Sequence, residues 1–173
     1  MEINHRPLTH PEALRLHMEL KTTPNILGYT VRELRRLSDV QVAEAEGKFA
    51  GVCFSIDLAG GWTEIAALYV LPEFRGAGLG KSLWRSAWKR TQSRRRHVYV
   101  LSRNSKIVEW MREAGMTVDD KLWRAPPAVH QYMPRYMANW YRVTESIRKR
   151  GEIRQCPPLL QGVRKYAGDN SSG

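Results

Sequence analysis

Three glycines at alternate positions, Gly76, Gly78 and Gly80, are the residues with the clearest chemical meaning in this 173-residue sequence. Arg75 precedes them, Lys81 follows them, an apolar run ends before them and a helical pattern begins after them. Glycine lets the backbone approach a ligand closely and adopt conformations that other residues avoid. A loop that opens into a helix also presents unpaired amides at the positive end of the helix dipole. The pattern therefore predicts a phosphate-binding loop.

Spacing separates three phosphate-binding motifs at this loop. The nucleotide P-loop requires a glycine at position 75, which is Arg75, although Gly80-Lys81-Ser82 matches its end. The dinucleotide motif, counted from Gly76, places its last glycine at Lys81. The order Arg-Gly-x-Gly-x-Gly over residues 75–80 resembles, at every position, the acetyl-CoA pyrophosphate loop of the GNAT superfamily of N-acyltransferases.

The resemblance implies that acetyl-CoA is a cosubstrate and indicates which residues hold it. Backbone groups of residues 68–70 would pair with the pantetheine arm, and the amides of residues 75–81 would hold the pyrophosphate. Asn104 stands where many members of the superfamily touch the pantetheine arm, and no metal is expected. The residues expected to bind acetyl-CoA are Leu68, Tyr69, Val70, Arg75, Gly76, Ala77, Gly78, Leu79, Gly80, Lys81, Ser82 and Asn104.

Glu64 is the candidate general base. The sequence Trp-Thr-Glu-Ile over residues 62–65 resembles the Phe-Ala-Glu-Ile of superfamily histone acetyltransferases, in which that glutamate is the base. Strand alternation predicts that Glu64, Ala66, Leu68 and Val70 share one face of a strand. A carboxylate in a half-buried cleft has its pKa raised by desolvation, which suits a base. The alternative is an ordinary glutamate on a solvent-facing strand.

The general acid is the main departure from the family pattern. Many members carry a tyrosine four residues before the glycine that ends the fourth helix, but this sequence has Met111 there. Tyr99 and Tyr132 are the candidate acids, with Tyr136 or water as further alternatives and core packing as the competing role of each tyrosine. Without an acid, a non-catalytic acyl-CoA-binding module also remains open. Cys53 has no visible activating partner, which argues against a thiol nucleophile.

The elements before the glycine loop follow from capping and periodicity. A strand over residues 2–7 precedes two capping boxes, at Thr9 and Thr30, which predict two helices. Period-two patterns over residues 40–71 predict a three-stranded antiparallel meander whose last strand, residues 62–71, leads into the loop.

The elements after the loop alternate between helix and strand. We expect a helix from Ser82 to Arg94, a parallel strand over residues 97–102, a helix over 104–115 and a strand over 116–125. Residues 128–133 are predicted as a final strand, and Pro134 as the first residue of a basic amphipathic helix over 134–150 that buries its aromatic face. Residues 151–173 are predicted as a loosely ordered tail.

The fold class predicted by these elements is α+β. The resemblance implies a GNAT fold: a mixed, largely antiparallel sheet of six or seven strands, splayed between the fourth and fifth, with flanking helices and an extra C-terminal helix. The domain prediction is a GNAT N-acetyltransferase domain over 1–133, the basic helix over 134–150 and the tail over 151–173.

Charge is distributed unevenly along the chain. Residues 1–72 carry 7 Lys/Arg and 9 Asp/Glu, a net of −2, and residues 73–173 carry 21 and 8, a net of +13. A basic second part favours a polyanionic partner such as RNA, DNA or an acidic protein surface. The alternative is a solvated basic face without a specific partner.

Composition argues against a membrane protein and a secreted protein. No apolar run approaches a membrane span, and no apolar stretch follows the N-terminus as in a signal peptide. Two separate cysteines favour free thiols in a reducing compartment, so a cytoplasmic location is expected. The leading hypothesis is an acetyl-CoA-dependent N-acetyltransferase acting on a primary amine by direct attack. The alternatives are an acetyltransferase directed to aminoacyl-tRNA or other nucleic acid, and a non-catalytic acyl-CoA-binding module.

Overall fold

The computed structural model describes residues 1–24, 26 and 28–168, and the elements below are those of the described residues. The strands are β1 Glu2–His5, β2 Asp39–Ala45, β3 Lys48–Asp57, β4 Trp62–Val70, β5 His97–Ser102, β6 Thr117–Asp119 and β7 Leu160–Arg164. The α-helices are α1 His10–Thr22, α2 Val31–Arg36, α3 Leu79–Ser93, α4 Ser105–Glu113, α5 Pro127–Met137, α6 Trp140–Arg148 and α7 Arg150–Gln155.

Both predicted capping boxes are present. The Thr9 hydroxyl accepts a hydrogen bond from the amide of Glu12, whose carboxylate accepts one from the Thr9 amide at 2.8 Å. Thr30 and Glu33 repeat this arrangement at the start of α2. Each box satisfies two amides that the first helical turn leaves without partners, which fixes where α1 and α2 begin.

The strands form one sheet in the order β1-β2-β3-β4-β5-β7-β6. The predicted antiparallel meander is confirmed as β2, β3 and β4, and β5 runs parallel to β4. Pairing between β4 and β5 ends at Ile65 and Val100, so the strands part over residues 66–70. This is the predicted splay between the fourth and fifth strands, and it opens the centre of the sheet.

A β-bulge in β4 corrects the predicted strand faces. Phe54 of β3 pairs with Ala67 and Ser55 pairs with Ile65, which leaves Ala66 as the extra residue. A bulge shifts the alternation by one position. Glu64 therefore shares its face with Ala67, whereas Leu68 and Val70 face the opposite side with Ile65.

The two faces of the sheet carry separate cores. Leu16, Leu20 and Leu34 of α1 and α2 pack on one face with Ala67 and Tyr69. The other face is covered by α3 and α4 through Leu83, Trp84 and Met111, among others. The α3 helix begins three residues earlier than predicted, because Gly78 adopts a left-handed conformation and serves as its N-cap.

The C-terminal third differs most from the prediction. Residues 128–133, expected as a strand, belong to helix α5, and Pro134, expected to start a helix, lies inside it. The expected strand over 116–125 is reduced to the three residues of β6, followed by a 3-10 turn over Leu122–Arg124. The expected helix over 134–150 divides into the end of α5 and α6, with Asn139 capping the second.

The expected tail contributes a strand of the sheet. Strand β7 lies between β5 and β6, pairing with five residues of the first and three of the second. Its alternation over five residues is too short to be distinguished in a sequence, and its position depends on partners that lie far away along the chain. The last part of the predicted tail, residues 169–173, lies outside the described residues.

Helix α6 also presents the face opposite to the one expected. Arg142, Glu145 and Lys149, at its end, are buried, whereas Trp140 and Ile147 are 77% and 68% exposed. Within the described residues, no helix combines the length and apolar character needed to cross a bilayer.

Candidate active site

A cavity of about 820 Å³ occupies the opening between β4 and β5. One end, here called the loop end, is lined by Arg75, Gly76, Gly78, Gly80, Lys81, Asn104 and Trp110. The other, here called the carboxylate end, is lined by Tyr29, Glu64, Tyr132, Met133, Tyr136 and Met137. Ala66, Leu68 and Val70 of β4 connect the two ends.

The glycine loop presents free amides to the cavity. Gly76 and Gly78 have φ angles of 91° and 77°, a region in which residues with a side chain are strained. The Ser82 amide donates to the Gly78 carbonyl, whereas the amides of residues 76–81 have no partner within the described chain. This run of free donors at the start of α3 fits a phosphate group.

Gly80 keeps the space beside the loop open. A Cβ atom at this position would lie 3.6 Å from Cη2 of Trp110 and 3.7 Å from Cδ2 of Leu68, in van der Waals contact with both. The absence of a side chain therefore leaves room between the loop, α4 and β4 for an extended ligand. Ala77 lies within the loop, and the side chain of Leu79 is buried in the core below it.

The cations beside the glycine loop are held by the protein. Arg75 donates from Nε to the Val70 carbonyl at 3.0 Å and from Nη2 to the Tyr69 hydroxyl at 3.1 Å. Nζ of Lys81 lies 3.1 Å from Glu113 of α4. Arg75 therefore ties the loop to the end of β4, and Lys81 ties it to α4.

Four of the remaining predicted cofactor residues line the cavity, whereas Ser82 does not. Leu68, Tyr69 and Val70 line it, along the edge of β4 that no longer pairs with β5. The side-chain oxygen of Asn104 caps α4 by accepting from the amides of Lys106 and Ile107, at 3.0 and 3.4 Å. Its NH₂ group remains available to a ligand.

Among the described residues, Glu64 is the one carboxylate that lines the cavity. It makes no hydrogen bond or ion pair with another described residue. Its side chain is enclosed by protein on most sides, and this desolvation raises its pKa to about 7. A carboxyl group with that pKa exchanges a proton at neutral pH, as a general base must.

Three tyrosines surround the carboxylate end. The Tyr136 hydroxyl donates to the Tyr29 hydroxyl at 3.3 Å, and the rings of Tyr132 and Tyr136 are 5.7 Å apart. Burial, with the nearby charge of Glu64, raises the pKa of Tyr132 to about 12, so its phenol keeps its proton at neutral pH. Sequence reasoning missed Tyr29, whose only signal is its place just before the second capping box.

Tyr99 is placed differently from the other candidate acid. It is the register partner of Glu64 on β5, but it is 2% exposed, packs against Leu58 and Val129, and does not line the cavity. Burial raises its pKa well above the ordinary value. Of the three tyrosines considered from the sequence, Tyr132 and Tyr136 line the cavity and Tyr99 does not.

Arg142 of α6 was also missed as a site residue. Its guanidinium carbon lies 3.9 Å from the ring centroid of Tyr136, and its Nη2 lies 2.9 Å from Glu33. It is buried behind the tyrosines rather than on the cavity wall. The sequence pattern assigned it to an exposed basic face.

Met111 and Cys53 have no place in the cavity. Met111 is fully buried in the core below α4, and its terminal methyl faces Gly162 of β7. The position that carries a tyrosine in many family members therefore faces the core in this protein. Cys53 is also buried, and desolvation raises the pKa of its thiol, so it remains protonated and unreactive.

Much of the basic charge is used within the fold. Arg94 pairs with Asp39 and Asp57, and Arg148 pairs with Glu145. Lys149 is fully buried. Within the described part of the chain, no group of three or more His, Cys, Asp or Glu side chains is arranged to hold a metal ion.

Comparison with known proteins agrees with this geometry. Residues 36–115 match the family model described as the acetyltransferase (GNAT) domain, and no curated protein sequence matches the chain. The match spans β2 to the end of α4, which includes Glu64, the glycine loop and Asn104.

Solved structures share the fold over most of the chain. N-acetylglutamate synthase from Neisseria gonorrhoeae, complexed with coenzyme A and N-acetyl-glutamate, has a TM-score of 0.67 at 19% identity over 94% of this chain. The aligned region is 34% of that protein, so the chain spans about a third of its length. Rv2747 from Mycobacterium tuberculosis, in complex with CoA, has a TM-score of 0.65 at 17% identity, and the alignment covers 92% of this chain and 98% of that protein.

A third similar structure covers less of the chain. Ribosomal-protein-alanine N-acetyltransferase from Brucella melitensis has a TM-score of 0.55 at 19% identity over 69% of this chain and 86% of its own. These identities show a common fold. The family match assigns residues 36–115 to an acetyltransferase (GNAT) domain.

Proposed function

We propose that the chain is an acetyl-CoA-dependent N-acetyltransferase that transfers an acetyl group directly to the primary amine of a small molecule. The observation that carries this proposal is the cavity itself, which places the free amides of the glycine loop at one end and the unpaired carboxylate of Glu64 at the other.

The residues at the loop end suit coenzyme A. The amides of residues 76–81 would hold the pyrophosphate, and the open edge of β4 with the NH₂ group of Asn104 would hold the pantetheine arm. Acetyl-CoA supplies the thioester. The opening between β4 and β5 extends from the loop to the carboxylate end, where an acceptor amine would bind.

The residues at the carboxylate end suit the acceptor. Glu64 attracts an ammonium group and, with a pKa of about 7, takes up the proton that the amine must lose before it attacks. As the new C–N bond forms and the C–S bond breaks, the departing thiolate needs a proton. Tyr132 is the cavity tyrosine proposed to donate it.

The C-terminal third supports a small acceptor. Met137 of α5, Ser146 of α6, Ile153 of α7 and Leu159 line the cavity. A concave cavity lined by several elements favours a small molecule over a folded protein or RNA. Helix α6 gives the nucleic-acid hypothesis less support than its sequence did, because Arg142 and Lys149 are buried and Arg148 is paired.

The experiment measures release of CoA thiol from acetyl-CoA against a panel of small amines. For Glu64→Gln we expect kcat to fall by roughly 10²- to 10⁴-fold, the usual contribution of a general base, while the Kd of acetyl-CoA is unchanged. Calorimetric titration of Gly78→Glu should show loss of acetyl-CoA binding, since the new carboxylate stands where the pyrophosphate would lie.

Gly151→Glu is the matched control, because a side chain at Gly151 meets no atom within 4 Å. It should bind acetyl-CoA as the wild type does. Tight acetyl-CoA binding without transfer to any amine would favour the non-catalytic acyl-CoA module instead.

A further inference from the structure

Arg103 is a cation on the cavity wall that the catalytic proposal does not use. It follows directly after β5, is half-buried, and donates from Nη1 to the carbonyl of Pro157 at 2.7 Å. Within the described residues no carboxylate pairs with it. Its remaining N–H donors are therefore free to bind a ligand.

We propose that Arg103 binds a carboxylate of the acceptor, so that the preferred acceptor is a small amine that also carries a carboxylate group. This inference rests on the proposed function, because it assigns the substrate class of the same cavity.

The alternation of β5 places Arg103 on the face that carries Glu64. Val98 and Val100 pack on the side of α3 and α4, whereas Tyr99 and Leu101 pack with α5. Arg103 continues the second series, and its bond to Pro157, in the segment between α7 and β7, agrees with that side. Tyr99 is in turn the register partner of Glu64.

The other cations on the cavity wall are less suited to this role. Arg75 is committed to Tyr69 and Val70, and Lys81 is committed to Glu113. Lys106 is exposed in the first turn of α4, further from β5 than Arg103. Arg103 is therefore the cavity cation that can serve an anion on the Glu64 face.

The spacing and chemistry fit an amino acid. Arg103 comes four residues after Tyr99, which is roughly 13 Å along a strand. An extended arginine side chain covers part of this distance, and a small amino acid would span the rest. The planar guanidinium fork matches the two oxygens of a carboxylate.

The test compares each amino acid with its carboxamide, which has the same size but no negative charge. For the wild type we expect kcat/KM to be roughly ten- to a hundredfold higher for the acids, the value of a charged hydrogen bond. In Arg103→Met this preference should disappear, because the KM of the acid rises while the KM of the carboxamide changes little. A series from glycine to 5-aminopentanoate measures the span between the two binding groups.

Arg112→Met is the matched control, because Arg112 is exposed on α4 and makes no ion pair in the described chain. It should keep the wild-type preference. Arg103→Gln provides a second variant if the methionine variant melts early.

Three outcomes would overturn the inference. Equal use of acids and carboxamides by the wild type would show that no carboxylate is recognised, although the proposed acetyltransfer would stand. A weaker Kd for acetyl-CoA in Arg103→Met, with the acid preference intact, would make Arg103 a cofactor ligand. Absence of transfer to any amine would overturn the proposed function together with this inference.

Discussion

Most carboxylates with perturbed pKa values in this protein are paired with arginine, and Glu64 is not. The hydrogen bond from Arg6 holds the pKa of Glu12 at about 2, and the hydrogen bond from Arg148 lowers the pKa of Glu145. Glu64 has only desolvation acting on it, which raises its pKa to about 7. A single residue type thus yields structural ion pairs in one place and a candidate base in another, according to its neighbours.

The raised pKa of Glu64 predicts how activity depends on pH. A base must be deprotonated, so kcat/KM should fall tenfold per pH unit below about pH 7 and level off above it. In Glu64→Gln the fall in kcat/KM below pH 7 should disappear, and kcat/KM should stay low at every pH. The measurement is kcat/KM for one amine from pH 5.5 to 9, and a wild-type profile with no group near pH 7 would contradict the role of Glu64.

The same shift makes a separate prediction about stability. The folded-state pKa lies above the ordinary value of 4.5, so the folded state holds the proton more tightly and ionisation of Glu64 destabilises it. The penalty is absent below about pH 4.5, grows up to about pH 7 and amounts to at most about 3 kcal/mol. Urea unfolding should therefore show Glu64→Gln to be more stable than the wild type at pH 8. The difference in unfolding free energy should be larger at pH 8 than at pH 5.

At the scale of elements, helix α6 joins the C-terminal third to the cavity through polar contacts. Lys149, at its C-terminal end, donates to the carbonyls of Leu20, Thr23 and Ile26 at 2.6, 2.8 and 2.9 Å. Leu20 lies in the last turn of α1, and Thr23 and Ile26 line the cavity. One buried lysine therefore caps α1 and holds part of the cavity wall.

Replacing Lys149 tests this connection. In Lys149→Met three buried carbonyls lose their donor, so we expect a loss of about 3–5 kcal/mol in unfolding free energy. Because the cavity wall is held less firmly, the KM of the amine should rise. Lys89→Met, at an exposed position of α3, is the control and should match the wild type. An unchanged KM would show that Lys149 serves stability alone.

At the scale of the whole molecule, strand β7 closes the sheet from the far end of the chain. It separates β5 from β6, so neither strand pairs directly with the other. Gly162 of β7 packs against Met111 and Met116, where a Cβ would lie 2.5 Å from one side chain and 3.2 Å from the other. The segment predicted as a tail is thus part of the core that supports β5, the wall of the cavity.

Truncation after Gln155 tests this role. The shortened chain loses eight residue pairings of β7 and exposes the apolar surface of Met111 and Val100. We expect it to lose its cooperative thermal transition or to melt far below the full chain, and to lose acetyl-CoA binding. A truncated chain that melted at the same temperature as the full one would contradict the assignment of β7 to the sheet.

The charge of the whole molecule leaves one prediction open. The excess of cations in residues 73–173 still predicts a polyanionic partner, although the charges of α6 no longer support it. Steep loss of RNA binding between low and moderate salt would favour such a partner.

The sequence by itself determined the features that depend on near neighbours. The glycine loop, both capping boxes, the meander and the bounds of β5 follow from residues a few positions apart, because local backbone preferences and periodicity set them. The resemblance of residues 75–80 to the acetyl-CoA loop suggested the family, and the resemblance of residues 62–65 to superfamily histone acetyltransferases pointed to Glu64.

Only the tertiary structure decided what depends on contacts between distant segments. The bulge at Ala66 reversed the faces of β4 beyond that residue. Packing placed Met111 in the core and Tyr132 at the cavity. Arg142 and Lys149 are buried, opposite to the amphipathic pattern of α6, because their partners are Glu33 and the carbonyls at and after the end of α1, more than 100 residues away. Buried polar groups follow their partners, and a partner that distant leaves no periodic trace in the sequence.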